Sequence, residues 1–184
     1  MRKIIIFIGI VLINGCNQDE KRNKNVKIKD QLIDSYHKSI NLPDSLVLFY
    51  DGDKRPIALS NYLTENLKIL SILGNDCQKC TVSELLFWDD FSMNYENIDK
   101  IELILVYSGP NYYFTNVLSK EIGVQIPVLL DKSGIIQNQN TLFDDPLYRT
   151  VLLDKENRIL LVGNFINNMK LKKLYFEEID KQLN

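Results

Sequence analysis

The sequence predicts an α/β fold, a central mixed sheet flanked by helices. Three observations carry that expectation. Strands alternate with helices through the middle of the 184-residue chain, so an early β-α-β unit is present. The strands at 67–73 and 101–107 are dominated by apolar residues, as strands covered on both faces are. The last two strands flank the short turn Asp154-Lys155-Glu156-Asn157, so they must join the sheet as an antiparallel pair. The composition, 45% apolar and 25% charged, excludes a disordered tail, a collagen-like repeat and a multi-span membrane protein. A net charge of −2 leaves no electrostatic footprint for nucleic acid. Three cysteines are too few for a multi-disulfide scaffold.

The elements follow in order. Residues 31–40 read as a short helix with Leu32, Ile33, Tyr36 and Ile40 on one face. Leu46–Tyr50 and Pro56–Leu59 read as two strands around the turn Asp51-Gly52-Asp53-Lys54, an N-terminal β-hairpin. Leu67–Leu73 is a buried strand closed by Gly74-Asn75, and Cys77 to about Phe91 is a helix whose apolar face holds Val82, Leu85, Leu86 and Trp88. Ile101–Tyr107 is the next strand, followed by a helix over about 111–122 and a short strand at Ile126–Leu130. Gln137–Pro146 reads as a polar, irregular loop. Thr150–Leu153 and Arg158–Val162 form the last strand pair. A helix from about Asn168 to Leu183 closes the chain, with Leu171, Leu174, Tyr175 and Ile179 on one face. Neither an internal repeat nor a second domain is visible. Trp88 and Tyr112-Tyr113-Phe114 are expected in the core, His37 on the surface, and the Asp89-Asp90 and Asp144-Asp145 pairs in solvent rather than on a metal.

The N-terminus carries a separate message. Met1-Arg2-Lys3 is basic, and Ile4–Ile13 is an apolar run of ten residues. Ten residues are too few to cross a bilayer core of about 30 Å as a helix, and the flanks match an export signal. The run ends in Ile13-Asn14-Gly15-Cys16, which resembles the lipobox of bacterial lipoproteins. That resemblance implies a signal peptide over 1–15, removed on maturation, and a diacylated Cys16 as the new N-terminus. Residues 16–30 are polar and charged and serve as a tether, leaving 31–184 as the folded domain. The expected location is the cell envelope, with the protein lipid-anchored to a bacterial membrane and its domain in the periplasm or at the cell surface.

The remaining cysteines are spaced Cys77-Gln78-Lys79-Cys80, with a strand running into the motif and a helix beginning on it. A helix N-terminus presents unpaired N–H groups and partial positive charge. Both stabilise a thiolate at Cys77, lowering its pKa from about 8.5. Lys79 adds positive charge and Asp76 opposes it. Two intervening residues let Cys80 attack a mixed disulfide formed at Cys77. Cys77 is then the exposed nucleophile and Cys80 the more buried resolving thiol. Two other uses remain open: a structural disulfide, and zinc, although zinc takes about four ligands and the chain has one histidine, His37.

With these residues in view, the chain from about Leu46 onward resembles the thioredoxin-fold lipoproteins of the TlpA/ResA-like thiol-disulfide oxidoreductase group. Phe49–Ser60 resembles the hairpin that enters such domains. Leu67–Leu73 corresponds to the strand before the redox motif. Ile126-Pro127-Val128-Leu129-Leu130-Asp131 and Val151–Ile159 resemble two further family segments, the second followed by Gly163. More narrowly, Leu152–Asn164 resembles a set of Bacteroidetes lipoproteins of this fold. The resemblance implies a thioredoxin-like fold with a redox-active dithiol and no bound cofactor. It implies partners that are exported protein thiols or disulfides, with a membrane or periplasmic thiol as electron donor. Two departures stand out. Asp76 occupies the place of an aromatic residue, and the place of a cis-proline falls on Tyr148, with Arg149 and Thr150 completing a possible substrate loop.

Arg149 also invites comparison with peroxiredoxins, but their Pro-x-x-x-Thr-x-x-Cys pattern meets Leu70 and Gly74 before Cys77, and Leu73 and Cys77 before Cys80. The leading expectation is a membrane-anchored thiol-disulfide oxidoreductase. The alternatives are a non-catalytic binding module with a structural disulfide and, behind it, a thiol peroxidase.

Overall fold

The computed structural model describes residues 35–50, 53–74, 77–109, 114, 123 and 126–184. Cys16, the signal and tether, Asp76, Tyr112-Tyr113 and most of the helices expected at 31–40 and 111–122 lie outside the described residues. Ser35 and Tyr36 belong to the unit Met1–Tyr36, and the fold below is that of His37–Asn184.

Seven strands form one sheet: β1 Ser45–Tyr50, β2 Asp53–Ala58, β3 Leu67–Leu73, β4 Ile101–Tyr107, β5 Val128–Leu130, β6 Thr150–Leu153 and β7 Ile159–Val162. Their order is β2-β1-β5-β4-β3-β6-β7. The central strands β5, β4 and β3 are parallel, and every outer pairing is antiparallel. This is the mixed α/β sheet that the chain order required. The described helices are α1 Leu59–Tyr62, α2 Gln78–Asn94, α3 Ile135–Gln139 and α4 Met169–Leu183. Among the described residues no helix is long and apolar enough to cross a membrane.

All seven residues of β3 are buried because side chains leave a strand alternately and both faces of this one are covered. Leu67, Ile69 and Leu73 face one core with Leu85, Trp88 and Phe91 of α2 and with Tyr175 and Ile179 of α4. Leu70 and Ile72 face the other core, with Ile104, Val106, Leu129, Ile136 and Phe143. Aromatic rings concentrate in the first. Trp88 meets Phe91 and Phe165 edge to face at centroid distances of 5.6 and 5.4 Å. Phe114 is fully buried against Phe49 and Tyr107, as expected of its cluster.

Several elements depart from the sequence expectation. Residues 37–40 are not helical: Ser39 bridges Arg158, and Ile40 N–H donates to the Asn157 carbonyl at 2.8 Å. β2 begins at Asp53 rather than Pro56, because its register with β1 starts directly across the turn at Tyr50↔Asp53. It forms a sheet edge and is exposed except for Ile57, with Lys54, Arg55 and Pro56 discouraging further strand pairing. The stretch 137–146 is not irregular. It contains the end of α3 and the 3-10 turn Thr141–Asp144, and Pro146 opens another turn that runs to Tyr148. Asn140 organises it, accepting from Asn41 N–H at 2.7 Å and donating to the carbonyls of Asn41 and Ile136 at 2.8 and 2.7 Å. Lys68 is a buried cation in β3, donating through Nζ to the Asp154 and Lys155 carbonyls at 3.2 and 3.0 Å.

Candidate functional site

The site forms where β3 ends and α2 begins. Cys77 is the N-cap of α2 in extended conformation, and its Sγ accepts from Cys80 N–H at 3.3 Å. Cap positions favour oxygen side chains; here sulfur takes that place. The first turn of α2 holds no acidic residue, so its partial positive charge acts on Cys77 undiminished from within the helix. Cys77 and Cys80 form a disulfide with Cα atoms 5.2 Å apart, inside the range such bonds require. Both residues are exposed. Cys80, expected to be the more buried thiol, is thus exposed like Cys77.

Buried Thr81 ties the loop at both ends. Its hydroxyl donates to the Gly74 carbonyl and to the Cys77 carbonyl, the latter at 3.2 Å. One turn beyond Cys80 lies Glu84, which the sequence analysis did not single out. Its Oε2 accepts from Gly74 N–H at 3.2 Å, and its Oε1 accepts from Asn164 Nδ2 at 3.4 Å. Burial holds the Glu84 carboxyl above its usual pKa; Gly74, the Arg149 charge and Asn164 offset part of that rise. The spacing Cys80–Glu84–Trp88 places all three on one stripe of α2, and that helical pattern was the available signal for Glu84.

The expected substrate loop reaches the site from the other side. Arg149 lies beside β3: its carbonyl accepts from Ile72 N–H at 2.8 Å, and its Nη1 would lie 3.6 Å from a Cβ added at Gly74. Tyr148 and Thr150 are interior, at 4% and 0% exposure, so neither presents a side chain to a partner. Thr150 bonds Ser71 hydroxyl to hydroxyl at 3.0 Å, and its carbonyl accepts from Tyr175 Oη at 3.2 Å. The loop residues that reach the surface are Pro146 and Leu147. Every peptide bond among the described residues is trans.

A groove of about 770 Å³ runs beside the disulfide. Lys79, Cys80, Ser83 and Glu84 of α2 form one wall, and Pro146 and Leu147 form another. Gly163, Asn164 and Ile166–Asn168, with Leu171 of α4, complete it. Cys77 is not part of its lining. Gly163 has φ +125°, and a Cβ there would come 2.9 Å from Leu171 Cδ2, so only glycine keeps this wall in place. Among the described residues no group of three His, Cys, Asp or Glu side chains could hold a metal ion.

No protein-family model matches the sequence, and no curated protein matches it. Solved structures do resemble it. A mutant of PrxQ from Xylella fastidiosa superposes with a TM-score of 0.60 at 15% identity, over 81% of this chain and 97% of that one. AhpC from Enterococcus faecalis gives 0.58 at 15% identity, over 81% and 97%. A Bacteroides thetaiotaomicron protein described as a candidate protein disulfide isomerase gives 0.57 at 20% identity, over 78% and 89%. At these identities the likeness concerns the fold, and the chain has the thioredoxin-like fold that these proteins share.

Proposed function

We propose that this chain is an exported, lipid-anchored thiol-disulfide oxidoreductase of the TlpA/ResA-like kind, with its signal at 1–15, its acyl anchor at Cys16 and its catalytic pair at Cys77 and Cys80. The observation that carries this reading is the exposed Cys77–Cys80 disulfide on the first turn of a 17-residue helix, beside an open groove. In the reduced pair, the helix end favours the Cys77 thiolate. That thiolate attacks one sulfur of a client disulfide, forming a Cys77–client bond and releasing the first client thiolate. Cys80 then attacks Cys77 Sγ, giving up its proton to the Glu84 carboxylate on the same wall of the groove. The second client thiolate leaves and the protein disulfide remains. Two electrons pass to the client, and the half-reaction needs only the reduced dithiol. Re-reduction takes a thiol donor outside the cytosol. The same exchanges run backwards oxidise a client dithiol, and the reduction potential sets the direction.

The deciding experiment equilibrates the full chain, carrying Cys16→Ser, with glutathione or dithiothreitol redox buffers. A potential between about −120 and −270 mV falls among dithiol catalysts and supports turnover. One well below about −300 mV belongs to structural disulfides and supports the binding-module reading instead.

A further inference from the structure

We infer that Arg149 serves the redox pair as a positioning residue: it shares Gly74 with Glu84 and holds that carboxylate in the charged form that accepts the Cys80 proton. This rests on the proposed redox role of the pair and adds to it the residue that prepares the proton acceptor.

Glu84 and Arg149 come from different elements and converge on Gly74, just past the end of β3. Glu84 Oε2 accepts from Gly74 N–H at 3.2 Å, and Arg149 Nη1 would lie 3.6 Å from a Cβ added at the same glycine. The backbone holds Arg149 there, since its carbonyl accepts from Ile72 N–H at 2.8 Å. Arg149 is half-buried and its Nε is buried, so solvent and salt screen its charge less than that of a surface arginine.

The groups around Glu84 have different parts. On its own helix, Lys79 and Cys80 are exposed along the groove, where water screens the lysine charge. From the segment after β7, Asn164 donates a neutral amide to Oε1. From the turn before β6 comes Arg149. Burial penalises the carboxylate, and Gly74 N–H, Arg149 and Asn164 oppose that penalty. Gly74 and Asn164 are neutral donors that fix where the oxygens sit, whereas Arg149 brings a full charge that favours the ionised form. An arginine keeps its charge throughout the range in which carboxylates titrate, so this support does not fade as pH falls. The step it serves balances. Cys80 Sγ bonds to Cys77 Sγ, the Cys77–client bond breaks, its electron pair leaves on the client thiolate, and the Cys80 proton passes to Glu84. A Glu84 that already carries a proton cannot take it. Arg149 thus acts through Glu84 and not on the client.

The test is a single turnover of the reduced full chain, carrying Cys16→Ser, with an excess of a capped, uncharged peptide dimer held by one disulfide. The peptide thiols leave in succession, and the second release reports the attack by Cys80. Its rate is followed down through the acid range in the parent chain, Arg149→Met and Arg149→Lys. Arg149→Met should move the acid limb to higher pH, slowing the second release at the acid end at least about threefold more than on the plateau. Arg149→Lys, which keeps the charge, should return the limb toward its original place. In a Glu84→Gln background, Arg149→Met should make no further difference to the pH profile, because the effect runs through that carboxylate. An acid limb that stays put in Arg149→Met, shifts equally in Arg149→Lys, or shifts just as far without the Glu84 carboxylate overturns the inference and leaves the redox reading standing. So does a parent chain whose second release has no acid limb. Release of neither thiol overturns both. If Arg149→Met does not fold, Arg149→Gln takes its place with the same expectation.

Discussion

Replacing Thr81 with valine removes the hydroxyl that joins the two ends of the redox loop while keeping the shape of the side chain. In the native protein that hydroxyl, 2% exposed, donates to the Gly74 and Cys77 carbonyls. The two losses are unequal. The Cys77 carbonyl keeps the Thr81 backbone N–H at 3.0 Å, so its main partner survives. The Gly74 carbonyl, half-buried just past the end of β3, loses the Thr81 donor. A buried acceptor deprived of its partner costs about 1–3 kcal/mol. Relief from burying a hydroxyl offsets part of this, so the expected destabilisation of Thr81→Val is about 1–2 kcal/mol. For a domain of this size that lowers Tm by roughly 2–8 °C. Urea denaturation of the oxidised and reduced forms measures it directly. An unchanged m-value would show that the loss concerns native stability rather than unfolded-state compactness. A cost under about 0.3 kcal/mol in both forms would refute the reasoning, because the hydroxyl would then contribute no more than a surface contact.

Further outcomes follow from two ionisable groups, Glu84 and Lys68. In the proposed exchange Glu84 must be ionised to accept the Cys80 proton, and burial raises its pKa from the usual 4.5, so client turnover should fall as pH drops through that raised value. Glu84→Gln should lose this acid limb and about 10²-fold in turnover, measured as a pH–rate profile. It should also remove a stability cost. With the folded-state value raised, wild type loses stability relative to the glutamine variant as pH climbs from the ordinary carboxylate value through the raised one; parallel stability curves would contradict this. Lys68 behaves oppositely. Burial lowers its pKa from 10.5 against the pull of Asp154, Glu102 and Glu156, so the folded state sheds its proton first. Wild type should therefore gain stability relative to Lys68→Met as pH rises through the alkaline window below 10.5, readable by chemical denaturation across pH; a flat difference would show that the amine is not penalised.

Much of this architecture could be read along the chain. Strands, hairpin and closing helix carry local hydrophobic patterns, and Cys77-x-x-Cys80 announces itself where a strand meets a helix. What the pattern hides is pairing across distance. Glu84 looks like one more solvated helix carboxylate until the fold brings Asn164, 80 positions later, to its Oε1. Lys68 interrupts an apolar run, and nothing local says that the Asp154 and Lys155 carbonyls will receive it. The polar letters of 137–146 read as an irregular loop. Phe143 and the Asn140 side chain instead lock it to the rest of the domain. Tyr148 ends a 3-10 turn and Thr150 opens β6, yet their side chains point into the interior, because the chain pairs with the sheet through Arg149 opposite Ile72.

The disulfide joins residues only three positions apart. Chain entropy gives so short a ring little leverage: cross-linking four residues restricts the unfolded chain by only about 2 kcal/mol, against nearly 5 kcal/mol for a ring of 100 residues. The first turn of α2 already holds these residues in place through hydrogen bonds that do not depend on the S–S bond. Opening it therefore leaves a domain whose stability resides in its two cores and its sheet. Under the proposed role, such a link opens and closes without unclamping the fold.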